Sequence, residues 1–220
     1  MRHAIAIAPN IWMAMDNSGS IGELALDDVH VPNAVASYYS ARVALFELWS
    51  ARAQATHILL ANFTGEAAWT NYVTGIDQLF QEIGVPPPPI TGSTESNFQM
   101  KQSAFSISMV GTKKWEPVQV HERMQYYVIG RALVGEQLIK HQTQAVHVKE
   151  LYDALESGVV AAIWPTGSKG IHAEIARLQL PQMMYFEDGD TSAGPSTAVI
   201  VASSDDNIAQ HFTAPCRKIT

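Results

Sequence analysis

Apolar residues alternate with other residues at Ile5 and Ile7 and again at Ile11, Met13 and Met15, a period of two that predicts a strand interrupted at Pro9-Asn10. The segment runs into a glycine-containing turn from Asn17 to Gly22. Val29 and Val31 predict a second short strand. After Pro32 the period changes to that of a helix, with Val35, Tyr39, Val43, Phe46 and Trp49 on one face through about Ala53. The apolar run Ile58–Phe63 reads as a buried strand. Trp69, Val73, Ile76, Leu79, Phe80 and Ile83 then place a long helix over Glu66–Ile83, with Gly84 as its stop.

Four prolines, Pro86 to Pro89, form a stiff connector into Ile90 and the polar stretch Thr91–Asn97. Phe105, Ile107 and Met109 alternate with serines as another strand. Lys113–Gln119 reads as a lobe boundary, dividing the chain into residues 1–115 and 116–220. Beyond it the pattern predicts a helix over Val148–Leu155, a strand over Val159–Ile163, a helix over Ile171–Leu178 and a last strand over Ala198–Ala202. Asp205 or Asp206 is a candidate cap for a short terminal helix. Strands and helices mix in both halves, so the fold class is α/β or α+β.

Composition narrows the function classes. Of 220 residues, 47% are hydrophobic and 16% charged, enough apolar surface to fold. The net charge of −7 argues against nucleic-acid backbones and anionic lipid as partners. The one cysteine, Cys216, allows neither an internal disulfide nor a cysteine-based zinc site, which fits a cytoplasmic location. The apolar start from Ala4 to Met15 is broken by Pro9-Asn10 and lacks a small-residue cleavage site, and no stretch reaches the roughly 20 apolar residues of a membrane span.

Four polar clusters stand where apolar elements end, the usual place for chemistry. Asp16-Asn17-Ser18-Gly19 reads either as an Asx turn or as a carboxylate presented at a strand end. Glu47 lies in an apolar helix, where its charge needs a divalent cation or an arginine, Arg42 or Arg52. Gly92-Ser93-Thr94-Glu95-Ser96-Asn97 offers hard oxygen donors suited to magnesium and phosphates, or is simply a hydrophilic loop. Gly167-Ser168-Lys169-Gly170 follows a strand and opens a helix, a context in which amide N–H groups and a lysine can meet an anion, although it is not a Walker A loop. The histidines show no metal-binding spacing, and no nucleophile elbow or Cys-His pair suggests acyl transfer.

Taken together, these clusters resemble the α-ribazole kinase family of cobalamin salvage. The resemblance runs from Asp16-Asn17-Ser18-Gly19 with Ile21-Gly22, through Tyr38-Tyr39-Ser40 with Arg42-Val43-Ala44, to Asn62-Phe63 with Gly65-Glu66. It continues through Gly92–Phe98, Gln102-Ser103-Ala104, Leu133-Val134-Gly135, Gly167–Ile171 and Ser192–Pro195, in family order and over most of the chain. That family is similar to the aminoimidazole-ribonucleotide synthetase superfamily, to which thiamine-monophosphate kinase, the hydrogenase maturation factor and selenophosphate synthetase belong.

The resemblance implies a two-lobed fold, with a mixed N-lobe sheet and packed helices followed by a shortened C-lobe. It also implies ATP and Mg2+ as cofactors, a small nucleoside such as α-ribazole as phosphoryl acceptor, and a homodimer whose N-terminal sheets combine. Carried across, it makes Asp16, Glu47 and Glu95 metal ligands, and Lys169 with Asp16 the catalytic pair. Asn17, Asn62, Gly92, Ser93, Thr94, Asn97, Gly167, Ser168 and Gly170 fall at cofactor-binding positions. The chain departs from the pattern in three places. No Gly-Asp-Asp segment precedes Asp16, Lys169 stands in the segment of a C-lobe carboxylate motif, and Arg52 stands where the family favours glycine. A nucleotide-binding module without turnover, or an enzyme of the superfamily acting on another metabolite, remains open.

Overall fold

The computed structural model describes residues 4–116, 124–181 and 185–219. They fall into two compact units, one ending at Trp115 and the next beginning at Glu116, each built on its own sheet. Of the expected boundary Lys113–Gln119, residues 117–119 lie outside the described residues.

The first unit opens with an antiparallel hairpin, β1 (Ile5–Ala8) and β2 (Ile11–Gly19), in which Ala8 faces Ile11. Its turn is Pro9-Asn10. Proline suits the first central position, and Asn10 takes the left-handed second one at φ 61°, as in a type II turn. β2 does not end at Asp16, as the pattern predicts. Its pairing with β7 (Ala104–Lys113) runs on to Gly19 opposite Ala104, so the chain turns only at Ser20, φ 62°. The continuous ladder overrides the weak strand preference of Asn-Ser-Gly.

β3 (Ile21–Gly22) and β4 (Val29–His30) make a small parallel pair that leads into α1 (Asn33–Ser50). The helix stops three residues before the expected Ala53. There Arg52 takes φ 65° and turns the chain into β5 (Ala53–Asn62). The first half of β5 was hidden from the pattern by a bulge between Ala55 and His57, which breaks the alternation. α2 occupies Glu66–Ile83 and ends on Gly84 in the left-handed conformation, as expected.

The polar stretch after the prolines is a strand, β6 (Ile90–Thr94), parallel to β5 at the edge of the sheet. Its residues are mostly exposed, so no apolar alternation marked it. A Cβ at Gly92 would stand 1.8 Å from the Leu60 carbonyl oxygen, and only glycine permits that approach. The sheet order is β1-β2-β7-β5-β6. One face buries Ala14, Ile58, Leu60, Phe105, Ile107 and Met109, and α1 and α2 pack on it. Met15 and Leu59, which share a rung on the other face, are 50% and 44% exposed.

The second unit holds an antiparallel sheet of order β11-β8-β10-β9, built from β8 (Gln125–Ile129), β9 (Ala162–Pro165), β10 (Val199–Ser203) and β11 (Cys216–Lys218). Every residue of β10 is buried. Three helices accompany the sheet, α3 (Glu136–Lys140), α4 (Val148–Glu156) and α5 (Gly170–Arg177), and α5 packs Ile171 and Ile175 with Val128 and Ile200. β8, β11 and α3 were not anticipated, and β9 lies about three residues beyond the expected Val159–Ile163. The expected terminal helix is a 3-10 turn over Ile208–His211. Asp205 accepts from the Asn207 N–H at 2.8 Å instead of capping a helix, and the last element is β11. No helix among the described residues is long and apolar enough to cross a membrane.

Candidate functional site

Strand register sets the candidates of the first unit on three successive rungs. One runs Asp16, Ile107, Leu60, Gly92. The next runs Asn17, Ser106, Ala61, Ser93, and the third Ser18, Phe105, Asn62, Thr94. Side chains alternate along each strand, so Asp16 and Asn62 point to the helical face while Asn17 and Ser93 are exposed on the other. Asp16 is half-buried and accepts a hydrogen bond from Ser40 Oγ of α1 at 2.7 Å. The carboxylate that the pattern placed at a strand end or in an Asx turn therefore sits within a continuous ladder.

Asn62 is 1% exposed, and its amide bonds three groups of its own chain. Oδ1 accepts the Thr64 N–H at 2.9 Å, and Nδ2 donates to Gly65 O at 2.8 Å and to Thr94 Oγ1 at 3.2 Å. The residue therefore ties the ends of β5 and β6 to the start of α2. Just beyond β6, the Glu95 N–H donates to Asn62 O at 2.8 Å, and Glu95 Oε1 accepts the Asn97 N–H at 2.7 Å. Asn97 itself is exposed.

Glu47 is 1% exposed on α1. It follows Ser40 by two turns on the same face, about 10.5 Å of helix rise. Asp16 and Glu95 are separated laterally by three strand spacings, about 14 Å. Among the described residues no group of three His, Cys, Asp or Glu side chains is placed to hold a metal. Magnesium holds its oxygens at about 2.0–2.1 Å, so the structure does not bring Asp16 and Glu95 to one ion; each carboxylate would serve a separate ion completed by phosphate oxygens and water.

Arg42, weighed from the sequence as a partner for Glu47, lies over the Phe46 ring with its guanidinium carbon 4.8 Å from the centroid. Burial lowers its pKa, while Tyr38, Tyr39 and Glu82 work in the opposite direction. Tyr38 donates its hydroxyl proton to Glu82, and burial, with Glu82 adding and Arg42 opposing, holds that hydroxyl far above its ordinary pKa. Arg52, half-buried in the turn after α1, has its pKa lowered by burial.

In the second unit, Gly167-Ser168-Lys169 joins β9 to α5. Ser168 and Lys169 are exposed, while Gly167 and Gly170 are buried. Gly170 has φ 80°, a conformation that suits glycine. Two of the early amides of α5 are engaged within the chain: Gly170 N–H donates to Gly167 O and His172 N–H to Gly189 O, both at 3.0 Å. Lys169 thus offers an exposed ammonium at the start of a helix whose amides are partly used.

Two well-bonded carboxylates escaped the sequence reading, the buried Asp27 and Asp188, whose side chain is 11% exposed. Asp27 accepts Ser103 N–H at 2.6 Å, Ser103 Oγ at 2.7 Å and Leu24 N–H at 2.8 Å. Burial pushes its pKa up, but these bonds, with a smaller contribution from His30, bring it below the ordinary 3.8. Asp188 meets both terminal nitrogens of Arg217 and accepts the Ala132 N–H at 2.8 Å. Burial raises its pKa too, and the Arg217 bonds, the Ala132 amide and the Arg217 charge outweigh it. Asp27 could have been flagged as an acid inside the largely apolar Ile21–Val31. Its partner Ser103 lies far along the chain, where local pattern carries no signal.

No family model and no curated protein matches the sequence. Solved structures do match its fold. Thiamine monophosphate kinase from Aquifex aeolicus aligns with a TM-score of 0.60 over 92% of this chain and 82% of its own, at 11% identity. The structure of AaThiL complexed with AMPPCP and TMP aligns at 0.57 over 98% and 82%, at 9% identity. The hydrogenase maturation protein HypE aligns at 0.54 over 98% and 82%, also at 9% identity. The chain therefore has the mixed α+β fold of these proteins.

Proposed function

We propose that the chain is an ATP- and magnesium-dependent kinase acting on the ribose 5-hydroxyl of a nucleoside, with α-ribazole as the acceptor that its motifs favour. In that reaction the bond between the γ-phosphorus and the β,γ-bridging oxygen breaks and one to the ribose oxygen forms. The hydroxyl proton leaves to solvent and ADP departs. The observation that carries the reading is the fold shared with a kinase solved with AMPPCP and TMP, combined with three rungs that set Asp16, Asn62, Gly92 and Thr94 on one face, while Asn17 and Ser93 lie on the other.

In this reading Asp16, steadied by Ser40, and Glu95, three strands away, would each present a carboxylate to a magnesium ion of its own. Magnesium supplies charge neutralisation at the phosphates. Glu47 is the least accessible of the three acids, so its substitution separates a metal role from a structural one. Asn17, Ser93 and Asn97 offer exposed polar contacts, and Asn62 orients the Thr94 end of β6. In the second unit Gly167, Ser168 and Gly170 present Lys169, whose exposed ammonium would stabilise developing charge on a phosphoryl group. No residue is assigned as general base.

Incubating the purified chain with Mg-ATP and a nucleoside panel tests the reading, and a phosphorylated α-ribazole product supports it. Nucleotide binding without turnover is the second reading. It is favoured by the engagement of the Gly170 and His172 amides within the chain, and it predicts ATP binding with no product from any nucleoside.

The open face of the first sheet, with Ile5 55%, Met15 50% and Leu59 44% exposed, supports a homodimer in which a second copy covers it. Light scattering at low micromolar concentration should give twice the monomer mass. The single cysteine supports a cytoplasmic location. Burial pushes the Cys216 thiol up to about 11, which disfavours the reactive thiolate.

A further inference from the structure

The segment Tyr185–Thr191 runs across the start of α5 and is fastened there through one imidazole. His172, with its side chain 14% exposed, places Nδ1 3.0 Å from Asp190 Oδ1, and the Phe186 N–H donates to its Nε2 at 3.3 Å. Tyr185 and Phe186 set their rings 5.2 and 6.2 Å from the imidazole. Gly189 lies so close that a Cβ there would meet the ring at 2.2 Å.

A backbone amide can only donate, so Nε2 must carry a lone pair and Nδ1 must carry the proton that reaches Asp190. This arrangement is defined for the neutral ring alone. We propose that His172 is a proton-operated latch, and that protonation of Nε2 releases the Tyr185–Phe186 end of the segment from the start of α5.

The surrounding charges decide the direction. Asp190 is the acid in contact with the ring, and it favours the imidazolium, but its side chain is 79% exposed and an ion pair of that kind contributes little. Asp188, on the same segment, is bound by Arg217 and the Ala132 N–H and lies 3.9 Å from Arg131. Glu187 is exposed. On α5, Glu174 is paired with Arg177, and Lys169 is an exposed cation three residues before His172. The imidazole also sits in the first turn of α5, where the helix dipole opposes positive charge. Against the single exposed Asp190 stand the dipole, Lys169 and the loss of an acceptor for the Phe186 N–H, so acid should open the latch. Arg217, whose guanidinium carbon lies 5.0 Å from the Phe186 ring centroid, keeps its hold on Asp188 throughout, so release begins at the Tyr185 end.

Opening would uncover the turn beside Lys169, but the latch does not depend on the proposed kinase activity and is read without it. The test is amide exchange and imidazole NMR on the full chain at pH 7.5 and 5.5, with rates corrected for the intrinsic pH dependence of exchange. At pH 7.5 the nitrogen shifts of His172 should report a protonated Nδ1 and a bare Nε2. Lowering the pH should reduce the protection of the Phe186 amide about tenfold, the scale set by losing one buried hydrogen bond. His172→Gln keeps an amide oxygen for the Phe186 N–H and does not titrate, so its protection should stay level over the same range. A proton on Nε2 at pH 7.5, equal protection of wild type at both pH values, or the same fall in His172→Gln would each overturn the latch.

Discussion

The two sheets bury their residues differently. In the four-stranded sheet the inner strand β10 is buried along its whole length, and a charge pair ties Arg217 of the edge strand β11 to Asp188 in the connection before β10. In the five-stranded sheet one face packs under α1 and α2, while three rungs from Asp16 to Thr94 set polar residues beside the core residues Leu60, Phe105 and Ile107, and the far face stays open. Charge is also held by different means. Asp188 is neutralised by a cation, Arg217, whereas Asp27 rests on amide and hydroxyl donors from Ser103 and Leu24. The second unit fixes its loops with charge, and the first fixes a polar ladder with hydrogen bonds and backbone geometry.

The largest expected effect breaks the charge-held side. Arg217→Met leaves Asp188 largely buried beside only the more distant Arg131, a loss on the scale of about 3–5 kcal/mol for a broken buried pair. Chemical denaturation followed in the second unit should show it, with the first unit little changed. Asp188 has a folded pKa below its ordinary 3.8, so its stabilisation is complete above that value and fades as the pH falls through the lower folded one. Arg217→Met removes the cation that lowers this folded pKa, so the part of the acid loss linked to Asp188 should shrink.

Lys169→Ala is next, and its effect falls on rate rather than stability. If the lysine meets developing phosphoryl charge, turnover should drop by about 2.7–4 kcal/mol of transition-state stabilisation, roughly 10²- to 10³-fold. The melting curve should stay with the wild type, since the side chain is exposed. Unchanged turnover would remove Lys169 from the site.

Gly92→Ala tests the ladder. A methyl group 1.8 Å from the Leu60 carbonyl oxygen must push β6 away from β5, at a cost of about 1–3 kcal/mol of overpacking. Equilibrium unfolding should report this loss. Arg52→Gly has the smallest effect and the opposite sign. Relief of the left-handed backbone, about 1–2 kcal/mol, is partly offset by glycine entropy of about 0.5–1 kcal/mol, so a small gain in melting temperature is expected.

The contrast between the units also explains what could be read from the residues. α2 was legible to its ends because an apolar stripe and a terminal glycine both marked it. β6 was not, because an exposed edge strand of Thr-Gly-Ser-Thr has no inside to alternate with. Asp16 was identified as chemistry but read as the end of its strand or an Asx turn, since the strand is extended by a partner ninety residues away that no local period reveals. The Asp27–Ser103 and Asp188–Arg217 pairs are hidden for the same reason: each joins segments whose own compositions are ordinary.

The most direct measurement is calorimetric titration of Mg-ATP into the wild-type chain, Asp16→Asn, Glu47→Gln and Glu95→Gln, repeated with magnesium chelated. The account predicts that the wild type binds and that chelation weakens the binding. Asp16→Asn and Glu95→Gln should each lose about tenfold or more in affinity, as expected when a charge-assisted contact worth at least 1.4 kcal/mol is removed, with unfolding curves unchanged. Wild-type protein that fails to bind Mg-ATP, or binding that is indifferent both to magnesium and to Asp16, would contradict it.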